Sequence, residues 1–127
     1  MSIEVTHNIR IEVAARYAEE ESSPEHGRWL FAYHVTISNE GEQAVRLLSR
    51  HWIIKDAFGR SEEVRGEGVV GQSPHIKPGS AFSYSSWCPL PTDFGSMRGS
   101  YLLLRDDGLE FDALIASFTL ATPAILN

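Results

Sequence analysis

Hydrophobic and polar residues alternate with period two along most of this chain. From residue 3 to 17 the odd positions are Ile3, Val5, His7, Ile9, Ile11, Val13, Ala15 and Tyr17, while Glu4, Thr6, Asn8, Arg10, Glu12 and Arg16 interleave. That is the pattern of a long strand with one wet face. Trp29, Phe31, Tyr33, Val35 and Ile37 repeat it, after a loop over residues 19–27 rich in glutamate and carrying Pro24 and Gly27. Asn39-Glu40-Gly41-Glu42 reads as a hairpin turn. Val45 and Leu47 are odd, whereas Trp52, Ile54 and Phe58 are even. A one-residue slip turns every later side chain over, so a bulge is expected near Leu48 to Arg50.

Phe58-Gly59-Arg60 marks a turn, Ser61 to Arg65 a short strand, and Lys77-Pro78-Gly79-Ser80 another turn. Phe82 and Tyr84 alternate with serines in a further strand. Pro89 to Gly95 reads as a loop, because prolines 89 and 91 exclude a central strand. Strands over Tyr101 to Arg105 and Leu109 to Ile115 flank Asp106-Asp107-Gly108, where Asp-Gly suits a type I′ turn. Phe118 and Leu120 begin a last strand. The tail 122–127 should fray, with Ile125 and Leu126 as the residues able to dock. The best helical window, Ala14 to Glu21, continues a strand alternation. The pattern therefore predicts an all-β, two-sheet antiparallel sandwich of about eight strands.

Length and composition fit that reading. The 127 residues suit one domain spanning 1–127, and 43% hydrophobic residues are enough for a core. A net charge of −6 disfavours broad binding to a phosphate backbone, so no nucleic-acid partner is expected. Cys88 is the lone cysteine, which excludes an internal disulfide. The start resembles no signal peptide, and the apolar runs are too short to span a membrane. A cytoplasmic protein is expected.

Three groups of residues invite a functional reading. Gly66-Glu67-Gly68-Val69-Val70-Gly71 matches G-x-G-x-x-G, but Pro74 and Pro78 exclude the helix that a dinucleotide site needs. The glycines serve either sharp turns or an anion-binding nest of backbone N–H groups. In the second case Gly66, Gly68 and Gly71 would hold a phosphate or pyrophosphate with Arg50, Arg65 and Lys77, and a phosphorylated small molecule or a cation would be the ligand. The five histidines show no metal-ligand spacing, so neither metal nor cofactor is expected. Catalytic residues are expected to be none, because no nucleophile sits beside a base in a recognisable motif. Lastly, Trp87 ends a strand. Exposed together with Leu90, Phe94 and Met97, it would form a patch for a protein partner. Pairing of strand edges would give at most a weak dimer.

Several collinear blocks carry a resemblance to a known family. They are residues 47–54 (Leu47-Leu48-Ser49-Arg50-His51-Trp52-Ile53-Ile54), residues 64–72, Lys77-Pro78-Gly79, Tyr84-Ser85-Ser86, residues 97–101 and Phe118-Thr119-Leu120. Together they resemble the ApaG (CorD) family over residues 3 to 121. The resemblance implies an immunoglobulin-like or fibronectin type III-like sandwich from a bacterium. It also implies an association with cobalt resistance and magnesium efflux and, from related eukaryotic domains, a protein-binding role. Ser73 and His75 depart from the family pattern beside the glycine loop.

Overall fold

The computed structural model describes residues 1–126. Its nine strands are β1 (Ser2–Thr6), β2 (Ile9–Tyr17), β3 (Trp29–Asn39), β4 (Val45–Asp56), β5 (Ser61–Glu67), β6 (His75–Ile76), β7 (Ala81–Leu90), β8 (Phe94–Arg105) and β9 (Glu110–Ala121). They form two antiparallel layers. The first sheet runs β1-β2-β3-β7 and the second β5-β4-β8-β9, with β6 also on β4. Among the described residues, no helix is long and apolar enough to cross a membrane.

The alternation marks the core correctly from Ile9 to Val13 and in β3, though not at Ile3, Val5 or Phe58, which are exposed. Phe31, Val35 and Ile37 of β3 face Leu47, Trp52, Tyr101 and Leu103 across the layers, all buried. Trp52 sits at the centre, its ring meeting Tyr33 at 5.4 Å, Phe118 at 5.9 Å and Tyr101 at 6.2 Å between centroids. The hydroxyls of Tyr84 and Tyr101 bond to each other inside the core. Burial raises both phenols well above their ordinary range, so they stay neutral. The bulge expected near Leu48 is present, because the register of β4 against β8 slips between Leu47 and Ser49.

Several elements differ from their sequence patterns. Residues 3–17 form a hairpin, not one strand. His7 and Asn8 take φ of 46° and 64° in a two-residue turn of the primed kind. Thr6 then opposes Ile9 and Ser2 opposes Val13, so even residues of β1 share a face with odd residues of β2. Ile3 and Val5 are left outside, and His7 meets the ring of Phe111 at 4.8 Å rather than joining an apolar face. Residues 39–42 carry the chain between the sheets instead of closing a hairpin. Buried Asn39 ties that crossing down, donating to the carbonyls of Gln43 and Ile76 and accepting from the Gly41 N–H.

Strand β7 continues through Pro89 to Leu90, since it lies at a sheet edge where a missing N–H costs no ladder bond. The two last strands are one, β9. Met97 opposes Phe118 but Gly99 opposes Ile115, so one extra residue in β9 switches its inward positions from odd to even. The tail forms a single helical turn, Pro123–Leu126, with Ile125 exposed; the Leu126 side chain and Asn127 lie outside the described residues.

The turn at Asp106-Asp107-Gly108 is not type I′, for only Gly108 has a positive φ, 96°. It is instead a type I turn closed by a left-handed glycine, with the Gly108 N–H on the Arg105 carbonyl at 2.8 Å. Arg105 grips the Asp107 carboxylate through Nε at 2.8 Å and Nη2 at 2.7 Å. This grip, with smaller help from the Leu109 N–H, the nearby charge of Arg105 and Gln43, lowers the Asp107 pKa to about 2. An unfolded aspartate titrates at about 3.9. The contribution is therefore complete above pH 4 and lost as pH falls towards 2. A carboxyl-carbon NMR titration should show Asp107 with a midpoint near 2, returning to the ordinary range in Arg105→Gln; an ordinary midpoint in the native chain refutes the grip.

Candidate functional site

The glycine segment folds as a plugged hairpin. Gly66 opposes Arg50 across β5 and β4. The Arg50 guanidinium lies over Gly66, where a Cβ would stand 2.6 Å from Nη2, and Nη1 donates to the carbonyls of Glu67 at 3.0 Å and Gly68 at 2.9 Å. Gly68 has φ +60°, and a Cβ there would be 2.2 Å from the Gln72 carbonyl oxygen. Val69 and Gln72 exchange two backbone hydrogen bonds of 2.8 Å around Val70 and Gly71, and the Val69 side chain is fully buried. The loop thus offers carbonyl oxygens to a cation of its own chain.

The other residues of this group scatter. Arg65 opposes His51, and its groove with Arg50 also holds Glu67 and Asp112. Gly71 sits at the exposed tip of the loop. Lys77 follows Ile76, which opposes Val45, five positions from Arg50 on β4. At the rise of a strand that is about 16 Å, so Lys77 does not join the loop.

The group around Trp87 divides differently. Trp87 stands on the outer face of β7 and is 51% exposed, and Phe94 is 40% exposed. Leu90 and Met97 are only 3% and 1% exposed. Continued alternation of β7 past Pro89 turns Leu90 inward, and the alternation of β8 does the same for Met97, so both support the core rather than the surface patch. Phe58, 72% exposed, lies at the same end of the sandwich as Phe94. The Thr92 hydroxyl joins the two segments, accepting from the Ala57 N–H at 3.0 Å and donating to the Phe94 carbonyl at 2.7 Å.

The strands at the sheet edges are guarded unequally. Strand β1 lies along β9, with the Leu114 N–H donating to Thr6 Oγ1 at 3.2 Å. Strand β5 carries Glu62, Glu63, Arg65 and Glu67, charges that discourage another strand from pairing. Strand β7 has none of these devices. Its 10 residues, Ala81–Leu90, include no charge, and only Pro89 interrupts its donors.

Beside this edge, the outer face of the first sheet sinks into a trough of about 280 Å³. Ala14, Ala32 and Ser85 are its small residues, and Trp87 and Arg16 rise from one row, each opposing Ala32 from its own side. His34 Nδ1 shares a hydrogen bond of 2.8 Å with Ser85 Oγ. No carboxylate orients this pair among the described residues, so it lacks the third member of a hydrolytic triad. The sequence did not single out this trough. Its signal was there, in small residues at wet positions of three adjoining strands.

Among the described residues no three His, Cys, Asp or Glu side chains converge as metal ligands. Cys88 is buried, and burial, reinforced slightly by Glu62, pushes its thiol up to about 12, so it stays protonated.

These features define a two-layer antiparallel β-sandwich with one unguarded edge and an aromatic-walled trough. A family model described as the ApaG domain matches residues 19–105. The chain is 53% identical to Protein ApaG of Anaeromyxobacter dehalogenans over the full length of both, and 53% identical to Protein ApaG of Pseudomonas aeruginosa over 95% of this chain and 96% of that one. A crystal structure of the ApaA protein of Bordetella pertussis superposes with a TM-score of 0.89 at 45% identity, covering 94% of this chain and 97% of the other. The chain belongs to the ApaG family. The C-terminal domain of wzt, with a TM-score of 0.56 at 12% identity, shares the fold alone.

Proposed function

We propose that this protein is a non-catalytic, cytoplasmic protein-interaction module that receives an extended segment of a partner along β7, with Trp87 as the anchor. The observation that carries the reading is an uncharged, unpaired edge strand bearing a half-exposed tryptophan. Strand addition uses main-chain hydrogen bonds for affinity and neighbouring side chains for selection, and tryptophan is enriched where binding energy concentrates. An association with cobalt resistance or magnesium efflux would then act through the partner. We favour this over phosphate binding at residues 66–71, where Arg50 already serves the loop's own carbonyls and Glu67 adds negative charge.

The test is site-specific photo-crosslinking in cells. A benzophenone amino acid at Ser83 on β7 should give a discrete protein adduct that is absent from the same probe at Glu63 on β5. Trp87→Ala should remove the adduct while thermal unfolding stays nearly unchanged, as for other surface substitutions. Identical adducts from both positions, or none from position 83, would overturn the reading.

A further inference from the structure

We infer that the trough on the outer face of the first sheet is a binding site for a planar aromatic ring carrying a carboxylate. This goes beyond the strand-addition reading: the trough spans the outer face of β2, β3 and β7 and shares Trp87 with that reading, but it requires no main-chain pairing along the free edge.

The shape argues for a ring. Arg16 opposes Ala32 and Ala32 opposes Trp87, so one row of the sheet carries a cation, a methyl floor and an indole. Neighbouring strands are about 4.8 Å apart, which places the Arg16 and Trp87 backbones about 10 Å from each other. In the next row His34 stands between Ala14 and Ser85, so the low floor runs diagonally from Ala32 to Ala14, with the imidazole as a side wall. A flat group can lie on the alanines against the indole, as aromatic rings prefer in offset or edge contact. About 280 Å³ suits a fragment of one or two rings and falls below the usual range for larger ligands.

The charge argues for the carboxylate. On the same face Arg10 is committed to Glu12 at 2.9 Å. Arg16 has no carboxylate partner among the described residues, although the chain carries a net charge of −6. Its guanidinium presents a planar fork that matches one carboxylate. Ser85 holds the His34 ring through Nδ1, which leaves Nε2 as a third polar contact at the trough.

The test compares indole-3-propionate with indole-3-propanol by amide chemical shifts in the full chain at neutral pH. The acid should move the signals of Ala14, Ala32, Ser85 and the Trp87 indole, saturating at low-millimolar concentration and binding about three- to fivefold more tightly than the alcohol. Arg16→Gln should reduce the acid to the affinity of the alcohol. Ala32→Gln, which fills the floor, should abolish both. Equal affinities in the native chain, a preference for the acid that survives Arg16→Gln, or no shifts at these residues would overturn the inference. None of these outcomes bears on crosslinking at position 83, and loss of that crosslink leaves the ring test intact.

Discussion

Trp52→Ala is expected to destabilise the protein by about 3–5 kcal/mol, the range for deleting a large buried aromatic. Trp52 is 3% exposed and contacts Tyr33, Tyr101 and Phe118. Its removal would open a hole where both sheets meet. The surrounding rings cannot collapse into it readily, because the hydroxyls of Tyr84 and Tyr101 hold each other in place. Small domains have a total stability of only about 5–15 kcal/mol, so the variant would sit near its unfolding threshold at ambient temperature. Urea unfolding followed by circular dichroism measures the change as a lowered midpoint with an unaltered slope. A loss below about 1.5 kcal/mol would show that the centre of the core lies elsewhere.

Gly99→Ala is expected to be nearly as damaging through the opposite cause. Gly99 of β8 opposes Trp52 of β4, and a Cβ at Gly99 would lie 2.0 Å from the His51 carbonyl oxygen. The obstacle is backbone, so no side-chain rotation can relieve it. Strands β4 and β8 would have to separate at the middle of the second sheet, for a loss of about 2–4 kcal/mol or a chain that does not fold. Gly71→Ala is the control. Gly71 has φ +77° but nothing within 4 Å, so only backbone strain of about 1 kcal/mol applies. Melting temperatures of the two variants should differ by several degrees in that order. Equal melting temperatures would mean that β8 can shift without cost at Gly99.

The chain stated its strands more clearly than its connections. In-out alternation is imposed by burial on every strand, so β3, β4 and the Leu48 bulge could be read directly. A hairpin turn made by His7 and Asn8 could not, since neither is glycine and the alternation runs through it unbroken. The same loss of information joined a turn to Asn39, whose side-chain bonds to Gln43 and Ile76 depend on which sheet the next strand enters. Pro89 was discounted as a strand residue because its place at an edge is a property of sheet order. At the sites, Trp87 was legible from its place just before Cys88-Pro89, although it lies within β7, which runs on to Leu90, and not at the strand's end. Arg16, His34 and Ser85 were not, because they come together only when β2, β3 and β7 are set side by side.

That interleaving of strands also dictates when folding can begin. Strand β7 completes the first sheet only after β4 and β5 have entered the second, and β4 receives its inner neighbour only with β8. A nascent chain emerging from the ribosome can therefore finish its first layer only when Leu90 has been made, and its second only with β9, which ends at Ala121. Architectures in which distant segments must meet pay loop-closure entropy before gaining contacts and fold slowly. Until β8 and β9 emerge, Trp52 lacks Tyr101 and Phe118, so the partly synthesised chain exposes the aromatic centre of its future core.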